Sequence, residues 1–254
     1  FWWSIKNSQR NIKTLKKKEI IIISSVCEDL AKELFYQNYT IFAICIHQSV
    51  NLRKYCKKIF LLKKFDEKKI LKILDLIDPQ KNKEILVGSG FAEEISEKKI
   101  ISRRKNFGNN LTTIKKVKSD LFFKELKKNK IPFPKSTYFK PKSSDWLIKS
   151  FSSVGGMRIK KIENKERLEN GEYYQKFIKK GEFLSIQFFC KKKLAFILAI
   201  CEQLMAKKTK NPFLIESLIT KNVTPDFFSR LNILVKKVAK IFKLNGINNL
   251  DLII

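Results

Sequence analysis

The apolar residues of the first ninety positions alternate between two periods. Residues 19–24 contain a continuous apolar run, Ile20 to Ile23, of the kind that is buried on both faces of a parallel sheet. The next segment, 26–37, changes to helical spacing, and Glu28 and Asp29 lie in its first turn, where the helix dipole favours negative charge. Further strands are predicted at 40–46, 58–62 and 84–87, and a further helix at 67–77. This order predicts a small, doubly wound α/β domain over residues 18–112.

Residues 113–254 carry shorter apolar segments that predict a different kind of domain. The segment 96–118 is rich in Lys, Arg and Asn, a linker composition that places a domain boundary near its end. Helices are predicted at 119–129 and 225–242, where apolar residues recur at helical spacing. Short strands are predicted at 136–139, 145–150, 157–162, 172–178, 183–190, 194–200 and 249–254. This half is therefore predicted to be α+β and mainly antiparallel.

The composition narrows the class of protein. The chain has 254 residues and 44% hydrophobic content, which is enough for a sizeable core. Its longest apolar run, 194–201, is far shorter than the roughly 20 residues that a membrane helix requires. The start at Phe1 has neither an initiating Met nor the pattern of a signal peptide, which suggests a fragment or a trimmed start. We therefore expect a cytoplasmic protein that does not contact a membrane.

The five cysteines and the single histidine argue against several kinds of site. No CxxC pair is present and His47 is the only histidine, so a zinc centre is not expected. A Ser/His or Cys/His catalytic pair would have to use His47, which follows a predicted strand and is interpreted as a structural or surface residue. The cysteines fit reduced thiols of a cytoplasmic core better than a disulfide framework.

The formal net charge of +30 permits nucleic-acid binding, because lysines that neutralise phosphates release counterions. However, only seven of the 54 basic residues are Arg, and the lysines are distributed over every segment. This distribution is typical of a solvated, lysine-rich surface, so no nucleic acid is expected as a partner. The positive electrostatic field of these lysines would still attract an anionic substrate such as a nucleotide.

A candidate nucleotide site lies in the segment 146–156. An apolar strand carries Lys149 near its end, and a small, glycine-containing loop follows, in which backbone amides can close over phosphate oxygens. The loop residues assigned to this site are Ser152, Ser153, Gly155 and Gly156. A second strand and turn follow at 173–182 and end with a carboxylate, Glu182, beside a glycine. A strand before a Ser/Gly loop is common in ordinary hairpins, so the order and spacing of the two segments carry the prediction.

The order of these parts resembles the ATP-grasp superfamily. Its members have a small α/β domain and then a helix that leads to a Gly-Ile-Pro-x-Pro segment, which corresponds here to Lys130-Ile131-Pro132-Phe133-Pro134. The lysine strand, the glycine-rich loop and a hinge strand follow, and a terminal Gly-x-x-Gly-x-Asp strand corresponds to the run from Gly246 to Asp251. The resemblance implies a two-lobed, α+β ATP-grasp domain over residues 113–254, after the Rossmann-like N-terminal domain.

The resemblance also implies a role for each candidate residue. Lys149 and Lys118 would contact the phosphates of ATP, and the loop amides would close over them. The adenine would lie against the backbone of the hinge strand, and Glu182 would accept hydrogen bonds from the ribose hydroxyls. The hinge residues in this assignment are Gln175, Lys176, Phe177 and Ile178. Asp251 would ligate Mg²⁺, a hard cation that takes carboxylate and phosphate oxygens together.

In this superfamily ATP phosphorylates a carboxylate, and an amine or similar nucleophile attacks the acyl phosphate. The resemblance therefore implies an ATP- and Mg²⁺-dependent ligase whose partners are ATP, a small-molecule carboxylate and an amine. Substrate contacts would come from the first domain and from the loop at 206–220. The segments Gly88–Glu93 and Cys201–Gln203 look similar to a subgroup found alongside one-carbon cofactor biosynthesis, which includes tyramine–glutamate ligase relatives.

Two alternatives stay open at this point. The Glu-x-Asn-Pro-Arg motif that follows the Asp strand in the family has no counterpart before Ile254, which predicts a C-terminally incomplete domain. A non-catalytic ATP-binding module is therefore one alternative. A basic nucleic-acid-binding protein, which the charge alone suggests, is the other. The sequence names neither the acid nor the nucleophile, and it leaves a homodimer open.

Overall fold

The first sheet of the protein is parallel, with the strand order β3-β2-β1-β4-β5. The computed structural model describes residues 18–88, 90–92, 100, 104–153, 155–162, 167–192, 194–207 and 209–254. The strands of this sheet are β1 (Lys18–Ile23), β2 (Tyr39–Cys45), β3 (Lys58–Leu61), β4 (Glu84–Val87) and β5 (Lys105–Asn106). Helices α1 (Glu28–Tyr36), α2 (Leu52–Tyr55) and α3 (Glu67–Ile77) connect them. The predicted doubly wound α/β arrangement is confirmed.

The continuous apolar run of β1 is explained by its central position in this sheet. Residues 20–23 are all fully buried. Ile21 packs in a cluster with Leu74 of α3, whereas Ile20 packs in a second cluster with Ala31 of α1. Because successive residues of a strand point to opposite faces, both faces of β1 must be apolar when a helix covers each of them.

The second half of the chain contains two antiparallel sheets, each with four strands. The first, which we call the small lobe, has the order β6-β9-β7-β8, and the second, the large lobe, has the order β12-β11-β10-β13. The strands are β6 (Ser136–Thr137), β7 (Trp146–Ser150), β8 (Lys160–Lys161), β9 (Glu172–Lys176), β10 (Phe183–Lys191), β11 (Leu194–Met205), β12 (Ile215–Thr220) and β13 (Gly246–Ile253). The helices are α4 (Leu111–Val117), α5 (Leu121–Lys128) and α6 (Pro225–Phe242). The prediction of a two-lobed, mainly antiparallel α+β half is confirmed.

Helix α6 covers one face of the large lobe. Thr224 caps its first turn by accepting a hydrogen bond from the Phe227 amide at 3.3 Å, and Pro225 occupies the first helical position. Val235 of α6 is fully buried in a cluster with Ile186 of β10. The side chains of the other sheet face point away from this core.

No helix among the described residues has the length and apolar character that crossing a bilayer requires. The longest of them, α6, has 18 residues and carries Lys236, Lys237 and Lys240.

Two segments interpreted as irregular from the sequence are regular elements. Leu111–Val117, in the predicted linker, forms α4, which begins where the Asn110 side chain accepts a hydrogen bond from the Thr113 amide at 2.8 Å. The predicted boundary between residues 112 and 113 lies within this helix, and the division into two domains stays a prediction. Ile215–Thr220, in the predicted loop, forms β12, which pairs with β11 at the edge of the large lobe.

The predicted bounds of one strand in the small lobe are wrong. The sequence predicts a strand at 157–162, but only Lys160–Lys161 pairs with β7. The preceding residues belong instead to the glycine-containing loop. Part of the Gly88–Glu93 segment cannot be compared, because Ser89 and Glu93 lie outside the described residues.

The five cysteines are free thiols, as the sequence predicts. Cys27, Cys45 and Cys190 are buried, and Cys56 and Cys201 are partly exposed. They therefore contribute to apolar packing rather than to a disulfide framework.

Candidate nucleotide site

The pairing of β7 with β9 brings two of the predicted site residues together. Leu147 lies opposite Gln175 and Lys149 lies opposite Tyr173, so Lys149 and Gln175 share one face of the small lobe. Lys149 Nζ donates a hydrogen bond to Gln175 Oε1 at 3.2 Å. Gln175 Nε2 in turn donates to Ser136 Oγ at 3.1 Å. The lysine ammonium is thus held by a side chain that is itself fixed to the sheet.

Asp251 lies on the face of the large lobe that α6 does not cover. It is directly opposite Ser185 of β10, and Ser185 Oγ donates to Asp251 Oδ1 at 2.9 Å. Gln203 Nε2 of β11 donates to the same oxygen at 2.8 Å, and Asn249 Nδ2 donates to it at 3.4 Å. A carboxylate on an apolar strand must find a partner or lie at an exposed edge. Asp251 does both, because β13 is an edge strand and three side chains donate to the carboxylate.

The charges of Lys149 and Asp251 act on one another, although the two side chains belong to different lobes. Burial lowers the pKa of Lys149 below its usual value, and the negative charge of Asp251 partly opposes that shift. Burial raises the pKa of Asp251, while the Ser185 hydrogen bond, the charge of Lys149 and the Gln203 hydrogen bond oppose the rise. Both side chains nevertheless reach solvent, Lys149 partly and Asp251 to a larger extent. The two side chains, one on each lobe, are therefore near one another and accessible to solvent, and we call the space between them the cleft.

The glycine-containing loop between β7 and β8 rests on the large lobe. Gly155 O accepts a hydrogen bond from the Ile215 amide at 3.0 Å, and Gly156 O accepts one from Asn211 Nδ2 at 2.9 Å. The loop approaches so closely that a Cβ atom on Gly156 would lie 1.8 Å from Phe213 O. Glycine is therefore required at 156 by contact as well as by its φ of +80°.

The serines of this loop are held by its other end. Arg158 donates from its backbone amide to Ser153 Oγ at 3.2 Å and from Nη1 to Ser152 Oγ at 3.3 Å. Val154, between the serines and the glycines, lies outside the described residues. The loop is therefore tied on one side to Arg158 and on the other to the segment 211–215 of the large lobe.

We expect Gly156→Ala to loosen the loop from the large lobe, because the new Cβ would overlap Phe213 O at 1.8 Å. The Ile215 amide, which donates to Gly155 O, reports this contact. Its hydrogen exchange should become roughly 5- to 150-fold faster, since an overlap of this kind typically costs about 1 to 3 kcal/mol.

Gly155→Ala is the matched control. Its φ of +59° is also left-handed, so it carries similar backbone strain, but a Cβ there would meet no atom within 4 Å. Equal acceleration in both variants would show that strain, rather than the contact with Phe213, governs the loop.

The predicted hinge is held mainly by its own lobe. The Lys176 amide donates to Lys135 O at 2.8 Å, and the Phe177 amide donates to Asp145 O at 3.0 Å. The Phe177 ring meets the Phe213 ring edge to face, with centroids 5.8 Å apart. Gln175 lies within the paired strand β9, and the amides of Lys176 and Phe177 are engaged, which leaves the Ile178 amide as the hinge amide that an adenine could contact.

Two further residues that the sequence predicts for the nucleotide site, Glu182 and Lys118, have other partners or surroundings. Glu182 Oε1 forms an ion pair with Lys221 Nζ at 2.7 Å, and the same Nζ is 4.0 Å from Glu202 Oε2. Lys118 ends α4 and lines a cavity of about 440 Å³. The other lining residues are Ser119, Asp120, Tyr138, Phe151, Leu168, Glu169, Asn170, Gly171 and Glu172. The roles of Glu182 and Lys118 toward a nucleotide stay predictions.

A sequence model of the ATP-grasp domain matches residues 117–254, which is more than half of the chain. A search of curated protein sequences found no match. The fold is similar to that of the L-amino acid ligase from Bacillus licheniformis, with a TM-score of 0.69 and 16% identity over 94% of this chain and 64% of that chain. It is also similar to the N5-carboxyaminoimidazole ribonucleotide synthetase from Thermotoga maritima, with a TM-score of 0.66 and 14% identity over 93% of this chain and 64% of that chain.

A third similar structure contains a nucleotide. It is the N5-carboxyaminoimidazole synthetase from Staphylococcus aureus complexed with ADP, with a TM-score of 0.69 and 14% identity over 93% of this chain and 66% of that chain. The present chain spans less than two thirds of the length of the first two structures. At these identities the structures show a shared fold, whereas the domain match shows the family. The chain belongs to the ATP-grasp family.

Proposed function

We propose that this protein is an ATP- and Mg²⁺-dependent ligase that activates a carboxylate as an acyl phosphate for attack by an amine or similar nucleophile. The observation that carries the proposal is that Lys149 and Asp251, on different lobes, lie close enough for their charges to act on one another, with the glycine-containing loop directly after the Lys149 strand. A cation and a carboxylate in this arrangement suit a polyphosphate and its metal ion. The ADP complex of a similar structure supports the nucleotide, and membership of the ATP-grasp family supports the reaction class.

Lys149 is proposed to contact the phosphates. Its ammonium is a compact charge on the wall of the small lobe, and partial burial strengthens its interaction with an anion. A phosphate oxygen would replace Gln175 Oε1 or Asp251 as its partner. The backbone amides of the loop at 152–156 would complete the phosphate contacts, because small residues let a phosphate approach them closely.

Asp251 is proposed to hold the Mg²⁺ ion. The described residues contain no group of three or more His, Cys, Asp and Glu side chains suited to a metal. One carboxylate still fits Mg²⁺, which proteins usually hold by one or two carboxylates together with phosphate oxygens and water. When bound, the ion neutralises charge that develops on the phosphates. Asp251 fits this role because three donors fix its carboxylate at the cleft wall.

The proposed reaction needs little covalent chemistry from the protein. An oxygen of the substrate carboxylate attacks the γ-phosphorus, the bond from that phosphorus to the β,γ-bridging oxygen breaks, and ADP leaves. The amine nitrogen then attacks the acyl carbon, phosphate leaves and the nitrogen loses a proton. The chain contributes by orienting the reactants and by neutralising charge. A chain with a single histidine can therefore support this reaction, which needs no histidine-based catalytic pair.

The binding test is calorimetric titration of the full chain with ATP in the presence of Mg²⁺. We expect saturable binding of one ATP. The chemical test is ADP release in a screen of candidate acids and amines, with hydroxylamine added to trap an acyl phosphate as a hydroxamate. Trapping that depends on one acid would identify the substrate class.

Two other outcomes decide between the alternatives. ATP binding without ADP release under any acid and amine would favour a non-catalytic ATP-binding module. Salt-sensitive binding to oligonucleotides that ATP fails to displace would favour the nucleic-acid alternative, because phosphate contacts by lysines weaken steeply with salt. The narrower resemblance to tyramine–glutamate ligase relatives would be supported by a preference for glutamate as the acid and tyramine as the amine.

A further inference from the structure

The Asp251 carboxylate is held through one of its two oxygens. Ser185, Gln203 and Asn249 all donate to Oδ1, at 2.9, 2.8 and 3.4 Å. None of the described residues donates a hydrogen bond to Oδ2. The lone pairs of Oδ1 are therefore engaged by side chains of the sheet, whereas those of Oδ2 remain available to a ligand.

Two of the three donors, Ser185 and Gln203, are buried in the large lobe, whereas Asn249 is exposed. Ser185 is 2% exposed and Gln203 is 9% exposed, and they lie on β10 and β11. Asn249 Nδ2 also donates a short hydrogen bond to Ser185 Oγ. Since that serine oxygen accepts from Asn249, its own proton is directed to Asp251. The network thus has one consistent donor direction, which ends on Oδ1.

We propose that Gln203 and Ser185 are positioning residues that fix Asp251 so that Oδ2 faces the cleft and binds the divalent cation that accompanies the nucleotide. This inference rests on the proposed function, because it assigns the orientation of its metal ligand. Neither residue touches the nucleotide itself. Side chains that orient a metal ligand typically change metal affinity by 10- to 100-fold when they are replaced.

The experiment separates the cation from the nucleotide in the full chain. Gln203→Met removes the donor and nearly preserves the length of the side chain. The affinity for Mn²⁺, measured by electron paramagnetic resonance with a non-hydrolysable ATP analogue present, should fall about 10- to 100-fold. The affinity for ATP in EDTA should change by no more than about twofold, as for a substitution that does not touch the ligand. Ser185→Ala should show the same pattern as Gln203→Met, with a weaker affinity for Mn²⁺ and a nearly unchanged affinity for ATP in EDTA.

Gln187→Met is the matched control. Gln187 is an exposed residue of β10, so the same substitution there tests the general effect of losing an amide from this sheet. It should leave both constants within about twofold. Equal losses of Mn²⁺ and metal-free ATP affinity in Gln203→Met would reveal a merely structural role and overturn the inference.

Asp251→Asn distinguishes this inference from the proposed function. If that variant binds Mn²⁺ as the unmodified chain does, the proposed metal site itself is wrong. If it loses Mn²⁺ while Gln203→Met and Ser185→Ala retain it, the metal site stands and the positioning role is overturned. Parallel losses in all three, with metal-free ATP binding retained, support both.

Discussion

Lys149→Met is expected to weaken ATP binding roughly 10- to 150-fold, because a charge-assisted hydrogen bond contributes about 1.5 to 3 kcal/mol. Methionine keeps the apolar part of the side chain and its packing on the small lobe. It removes the ammonium that faces Gln175 and Asp251. The measurement is calorimetric titration with ATP and, separately, with adenosine. Only ATP binding should fall, since the lysine acts on the phosphates.

Lys160→Met is the control for that substitution. Lys160 is an exposed lysine of β8, and it pairs with Ile148, one residue before Lys149 along β7. The control removes the same charge from the same sheet without touching the cleft. ATP affinity should change by no more than about twofold. Unchanged ATP affinity in Lys149→Met, or an equal loss for adenosine, would contradict the assignment of Lys149 to the phosphates.

Elements that carry their own boundary signals were predictable from the sequence. The bounds of α3 (Glu67–Ile77) and α6 (Pro225–Phe242) match the prediction. In each case a side chain before the helix caps it: Asp66 accepts from the Lys69 amide at 3.1 Å, and Thr224 accepts from Phe227. Local chemistry of this kind is visible in a single segment, without knowledge of the rest of the fold.

Elements stabilised mainly by distant partners were not predictable. Helix α4 was missed although Asn110 caps it, because it has only seven residues and depends on contacts far along the chain, such as the hydrogen bond from Thr113 Oγ1 to Phe242 O at 3.3 Å. Short helices gain their stability from such tertiary contacts rather than from propensity. Strand β12 is an exposed edge strand, with Leu218 and Ile219 about half exposed. It therefore lacks the alternation that marks a half-buried strand.

The residues of the candidate site also differ in whether the local sequence reveals them. Lys149 and the glycines lie in one continuous segment, so their order alone suggested a phosphate site. Ser185 and Gln203 were missed, because their role depends on the strand register that sets them beside Asp251. Asn211 was missed for a similar reason, since it holds the glycine loop from the other lobe. A polar residue on an otherwise apolar strand was the one available signal for Ser185 and Gln203.

Arg104→Met is expected to lower the free energy of unfolding by about 3 to 5 kcal/mol, the typical effect of breaking a buried ion pair. Arg104 Nε donates to Asp78 Oδ2 at 2.7 Å, and Nη2 donates to Asp78 O at 3.1 Å. Both side chains are only 1% exposed, so the remaining carboxylate would be buried without its counter-charge. The midpoint of thermal unfolding should fall by roughly 6 to 20 °C.

The neighbouring Lys105→Met provides the control and Asp78 supplies a second test. Lys105 is 66% exposed in its ion pair with Glu84, so its loss should cost no more than about 1 kcal/mol.

The double variant Asp78→Leu with Arg104→Met removes both buried charges. It should recover only part of the stability, because Asp78 Oδ1 also accepts from the amides of Asn82 and Lys83, at 3.0 and 3.3 Å, in the turn after α3. Full recovery of the free energy of unfolding would show that Asp78 stabilises the fold through the ion pair alone and that its hydrogen bonds in this turn contribute nothing.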